Sequence, residues 1–185
     1  MKRIINLCLI GPLPIDSDVS GGTKVSFNNL VNDLKENVDF SVNIINTSRA
    51  NTNSNHISKF LINVRVLVTT IKKLYLSLKY SDLVIWNVSP AGAIKTAPII
   101  SFLCKIKNKK LVIRIFGGDF DKHYESLTSF GQFLIHKTLF KSDLLLLQTK
   151  KLVDYFKDRA EVEWFPTSRN LDTRICLLYT SPSPR

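Results

Sequence analysis

Cysteine is scarce in this 185-residue chain, and the three present, Cys8, Cys104 and Cys176, stand in no C-x-x-C or metal-ligand spacing. An odd, scattered set argues against a disulfide framework. Cys8 falls in an apolar run and Cys104 in a helical pattern, so both are expected to be small core residues in a reducing compartment. G-x-G-x-x-G, G-x-x-x-x-G-K-[ST] and H-E-x-x-H are all missing. Nor does an acidic residue end the second apolar run, where a dinucleotide-binding unit carries its ribose carboxylate; Asn46 stands there. NAD and ATP chemistry lose ground on these absences, and with no Ser-His-Asp set or metal-spaced cluster, hydrolase and metalloenzyme readings have no support. No metal or other cofactor is expected.

Long uncharged runs are also lacking. The N-terminus carries Lys2 and Arg3, but its apolar stretch is short and reaches Gly11-Pro12 without a small-residue cleavage site, unlike a signal peptide. The pattern from Ile57 to Tyr80 is interrupted by Lys59, Arg65, Lys72, Lys73 and Lys79, which excludes a membrane span there. The expected place is the cytoplasm, peripheral to the inner face of the membrane. Acidic residues are few, 15 against 26 Lys plus Arg, for a formal net charge of +11. The basic residues are spread over helix ends and faces rather than clustered with aromatic platforms, so nucleic acid is not expected as a partner. Attraction to an anionic membrane, phosphate or glycan and a merely solvated surface both remain open.

What is there has the composition of one globular domain, with 44% hydrophobic and 22% charged residues. Apolar runs at 4–10, 40–46, 83–87, 111–115, 144–148 and 162–165 read as strands. Between them lie helical patterns. The first has Phe27, Leu30, Val31 and Leu34 on one face, and the clearest runs from Ile57 to Leu78 at three- and four-residue spacing. Ser89 and Pro90 are placed as cap and first residue of another, through about Cys104; Leu127 to Phe140 and Lys150 to Phe156 complete the set. A Ser-Asp pair precedes an apolar strand twice, at Ser81 and Ser142. Strands alternating with helices predict an α/β fold, a Rossmann-like doubly wound parallel sheet of about six strands with helices on both faces.

In such a sheet ligands bind beyond the carboxyl ends of the strands. Gly21-Gly22 follows the first strand and Gly117-Gly118 the fourth, so both doublets are expected on one edge. Gly21, Gly22 and Thr23 open a helix and can present backbone N–H groups to an anion; a tight turn is the plainer use of the same glycines. Asp119 can accept a proton or cap the following turn, and His123 lies near enough to bind a hydroxyl. Arg114 and Arg169 can meet a phosphate or carboxylate, or be surface charges. His56 and His136 have no partner in sequence.

Four segments in this order and spacing resemble the N-terminal domain of a GT-B glycosyltransferase of the group 1 retaining family. They are Ile10-Gly11-Pro12-Leu13-Pro14 with Gly21-Gly22-Thr23-Lys24-Val25; Arg114-Ile115-Phe116-Gly117-Gly118-Asp119-Phe120; Ser142-Asp143-Leu144-Leu145-Leu146; and Trp164-Phe165-Pro166-Thr167-Ser168-Arg169. The resemblance covers residues 1–172 and implies the acceptor-side half of a two-domain enzyme. It places Gly21, Gly22 and Thr23 near the donor diphosphate and Gly117, Gly118 and His123 on the acceptor side. Asp119 would bind or deprotonate the acceptor hydroxyl. It also implies a nucleotide-sugar donor and a glycan or lipid-linked acceptor of cell-surface polysaccharide synthesis. Two positions depart from the family pattern: Thr167 stands where Asn is frequent, and Phe116 where many members carry His. Residues 173–185, with their Ser/Pro end, look like translated adapter or cloning sequence, so the natural chain is expected to continue into a donor-binding half. A non-catalytic α/β module that binds a glycan or phosphate is the alternative.

Overall fold

The computed structural model describes residues 3–14, 21–48 and 56–166, with the backbone alone for 56–60. The elements run β1 (Ile5–Gly11), α1 (Gly22–Glu36), β2 (Phe40–Asn46), α2 (His56–Ser77), β3 (Leu83–Val88), α3 (Pro90–Ile106), β4 (Lys110–Ile115), α4 (Phe120–Glu125), α5 (Ser129–Lys137), a 3-10 turn (Leu139–Lys141), β5 (Leu144–Leu147), α6 (Lys150–Phe156) and β6 (Val162–Trp164). The fold is α/β, and all six strands are parallel in the order β2-β1-β3-β4-β5-β6.

That order fixes the faces. The chain steps one way from β1 to β2 and the other way at every later crossover, so right-handed connections put α1 on one face and the remaining helices on the other. Packing agrees. Phe27 and Val31 of α1 bury against Leu7 and Leu9, while Leu74, Ala97, Ile135 and Phe156 join Cys8, Ile10, Ile113 and Leu145 in the larger core. Cys8 and Cys104 lie in that larger core with no solvent access to speak of, and burial pushes their thiols up to about 11 and about 12.

The recurring Ser-Asp pair has a structural reason. Asp82 N–H donates to Asn6 O and its carboxylate accepts Asn6 N–H at 2.9 Å; Asp143 N–H donates to Leu111 O and its carboxylate accepts Leu111 N–H at 2.7 Å. Each aspartate thus pairs both backbone groups of a residue on the neighbouring strand before the ladder begins. The serines turn back to close the preceding helical turn, Ser81 onto Ser77 O and Ser142 onto Leu139 O. Two register latches result, both at the amino-terminal margin of the sheet.

Residues 127–140 differ from the single helix expected there. Thr128 caps α5 through Gly131 N–H, and at Thr138 the backbone leaves helical geometry (φ −124°, ψ −76°) before the 3-10 turn. Phe120 and Asp121, close after the second glycine doublet, open α4. Its Phe120 and Tyr124, one turn apart, bury in an aromatic cluster with Phe140 and Phe156. Six residues are too few to show a period, and tertiary packing supplies what local propensity does not. The boundary expected at 172, the tail at 173–185, and with them Arg169 and Cys176, lie outside the described residues.

Candidate functional site

Between β1 and β3 the chain departs in opposite directions, α1 to one face and α3 to the other. This is the switch point at which open α/β sheets leave a crevice beyond their carboxyl ends. A cavity of about 760 Å³ lies there. Pro12 after β1, Thr47 and Ser48 after β2, and Asn87 and Val88 at the end of β3 form its base, with Thr23 and Lys24 from the first turn of α1 beside them. Ser89, Gly92, Lys95 and Thr96 of α3 and Asn63, Val64, Leu67 and Thr70 of α2 complete the walls.

The two helix starts at this crevice are not equivalent. At α3, Ser89 Oγ accepts Gly92 N–H at 3.3 Å and Pro90 contributes no N–H, so its first turn is already occupied. At α1 the capping position is Gly21 (φ +113°), which brings no side chain to the first-turn amides. Lys24 N–H donates to Gly21 O at 3.1 Å, and among the described residues no side chain caps the Gly22 and Thr23 amides, where the helix dipole favours an anion.

Asn87 lines the base of the cavity at the end of β3, and alternation along the strand puts its side chain on the α1 face with Leu83 and Ile85. Asn87 is 2% exposed, and among the described residues neither its Oδ1 nor its Nδ2 has a partner. A buried amide without hydrogen bonds is costly unless a ligand or water completes it. Its register partner on β4 is Arg114. The guanidinium is 1% exposed, so it is not a surface charge. Nη2–H donates to Ser26 Oγ at 2.9 Å, and the rings of Phe116 and Phe165 lie 4.6 and 4.3 Å away. Among the described residues Nε and Nη1 are unpartnered, as is Asn29 Nδ2 on α1. Burial lowers the Arg114 pKa to about 10.

The second glycine loop is on the same margin of the sheet, as expected. Gly117 (φ +126°) donates its N–H to Gln148 Oε1 at 2.7 Å, and Phe116 N–H donates to Val88 O. Its Cα faces Pro90 so closely that a Cβ would lie 3.2 Å from Pro90 Cγ. Asp119 occupies the capping position of α4 without making a capping bond; one carboxylate oxygen lies 3.4 Å from His123 Nε2, and both side chains are largely in solvent. Asp121 does the opposite. It is buried, receives Lys151 Nζ at 2.6 Å, and that hydrogen bond holds its carboxyl below the usual range. His136, without a partner in sequence, bonds the Tyr124 hydroxyl at 2.8 Å.

The structure therefore brings Thr23 to the crevice and sets Gly21 and Gly22 at the adjoining helix start. Gly117, Gly118, Asp119 and His123 do not line the cavity. Sequence reasoning missed Asn87, although it is the single polar residue in the strand Leu83-Val84-Ile85-Trp86-Asn87-Val88, at the end where ligands bind. Among the described residues, no three His, Cys, Asp or Glu side chains converge as a metal set. Compared with known proteins, the sequence matches no family model and no curated protein.

Proposed function

We propose that this chain is the acceptor-side half of a glycosyltransferase. It would move a sugar from a nucleotide-sugar donor to a glycan or lipid-linked acceptor in cell-surface polysaccharide synthesis. The observation that supports this reading is the switch-point crevice, where among the described residues the α1 start has no side-chain cap and Asn87 at the base is unsatisfied. In the reaction the acceptor oxygen bonds to the anomeric carbon, the bond from that carbon to the diphosphate breaks, and the diphosphate takes the electron pair. Gly22 and Thr23 amides and the Lys24 ammonium would stabilise the growing negative charge. Asp119, exposed and free of a capping bond, would take the acceptor proton, with His123 orienting it.

The test is sugar transfer, over a panel of nucleotide sugars, by this chain joined to the donor-binding half that the proposal requires. Asp119→Asn should lower kcat by about 10²–10⁴-fold, and Asn87→Ala should raise KM. Neither transfer nor donor hydrolysis across the panel would overturn the enzymatic reading. One observation favours a second reading, a non-catalytic glycan- or phosphate-binding module: the crevice is lined by Thr23, Lys24 and Asn87 but not by Asp119. That reading predicts binding lost in Asn87→Ala and unchanged in Asp119→Ala.

A further inference from the structure

The excess of positive over negative charge in this protein arises in one stretch. From Phe40 to Gly118 there are 12 Lys and Arg against a single acidic residue, Asp82, whereas the rest of the chain carries 14 of each sign. The whole net charge of +11 thus belongs to the stretch of sequence from 40 to 118. Neither α2 nor α3 contains an Asp or Glu, and neither does α5.

These three helices lie side by side on one face of the sheet, with α3 in contact with both others. Their inward residues are in the core, Leu74 from α2 with Leu78 just past its end, Ala93, Ala97, Ile100 and Cys104 from α3, and Ile135 from α5. Their outward residues are apolar and basic together. On α3, Lys95, Ile99, Phe102 and Ile106 recur at helical spacing, with Phe102 63% and Ile106 60% exposed. On α2, Leu61, Val68, Tyr75 and Leu76 are exposed among Arg65, Lys72 and Lys73, with Lys79 in the turn just after, and α5 adds Phe130, Phe133 and Lys137. Lys107, just past α3, reaches back over the Tyr75 ring at 4.6 Å and ties the ends of α2 and α3 together. Among the described residues no helix is long and apolar enough to cross a membrane.

We propose that the outer face of α2, α3 and α5 is a docking surface for an anionic lipid bilayer. Its aliphatic and aromatic side chains enter the headgroup layer, and its lysines lie against lipid phosphates. An interfacial surface needs both features, apolar area to bury and cations matched to the negative leaflet. A second copy of the same face is a poor occupant, because lysine would meet lysine with no carboxylate on any of the three helices. Nucleic acid leaves the exposed Leu61, Ile99 and Ile106 unused. The surface is independent of the proposed glycosyl transfer, and so is its test.

The experiment is co-sedimentation of the full chain with phosphatidylcholine vesicles, with and without an equal part of phosphatidylglycerol. Binding is expected to the anionic vesicles only, and to weaken as salt is raised. Phe102→Ser with Ile106→Ser, and separately Lys72→Gln with Lys73→Gln and Lys79→Gln, should each weaken it by at least about tenfold. Their thermal unfolding should remain cooperative, because all five side chains are exposed. Lys35→Gln, on α1 across the sheet, should leave binding unchanged. Absence of binding, equal binding to neutral vesicles, or an equal loss in Lys35→Gln overturns the proposal. So does a dimer or an RNA complex that the same variants abolish while vesicle binding persists.

Discussion

Gly117 and Gly118 are neighbours with different obligations. At Gly117, φ is +126° and a Cβ would press on Asp119 Oδ1 at 3.0 Å and Pro90 Cγ at 3.2 Å; at Gly118 the nearest atom is Thr149 Cγ2 at 3.7 Å. Gly117→Ala should therefore cost about 1–3 kcal/mol, and Gly118→Ala should stay within about 0.5 kcal/mol of wild type, as read by urea unfolding. Arg114 invites a comparison of another kind. Among the described residues its buried cation has one hydrogen bond and two rings but no carboxylate, so desolvation is poorly compensated. Arg114→Met should be neutral or stabilising by up to about 3 kcal/mol. A loss larger than about 2 kcal/mol would show that the bond to Ser26 and the ring contacts outweigh desolvation.

At the scale of elements, caps and latches are separable from burial. Ser89→Ala removes the acceptor for Gly92 N–H and should cost about 1 kcal/mol. Asp143→Ala strands the buried Leu111 N–H and should cost about 1–3 kcal/mol, both measurable by denaturant titration. Asp82 adds a pH dependence. The Asn6 N–H bond lowers its pKa first, with Arg3 contributing, so its stabilisation is present above the ordinary carboxylate range and fades as pH falls through the lowered value. Asp82→Asn should flatten that acid limb of the stability curve. Most elements were legible in the sequence because their signals are local: the β-branched run at β2, the Ser89-Pro90 start of α3, the apolar stripe of α2. α4 was not, since Phe120 and Tyr124 become a helix only where Phe140 and Phe156 receive them. The crevice was half legible. The glycine doublets marked the correct margin, but only the strand order shows that β1 and β3 are adjacent and hence that Asn87 lies beside Thr23.

For the whole molecule, charge segregation should govern how stability responds to salt. Twelve cations and one carboxylate between Phe40 and Gly118 repel one another at low ionic strength. Raising salt from ~0.01 to ~0.15 M shortens the screening length from ~30 to ~8 Å. The thermal midpoint should then rise by about 2–4 °C, a gain on the order of 1 kcal/mol, followed by circular dichroism. A midpoint that falls over this range would mean that attractive pairs such as Lys151–Asp121 and Arg3–Asp82 outweigh the repulsion.

Both aspartate latches sit where strands begin, while every loop discussed as a binding element sits where strands end. Strand alignment is thus set from one side and owes little to the connections on the other. Those connections are free to change length and composition without displacing the ladder beneath them. Transplanting the 116–119 turn, or the stretch between β1 and α1, onto a related scaffold should alter what is bound while leaving the host sheet in register.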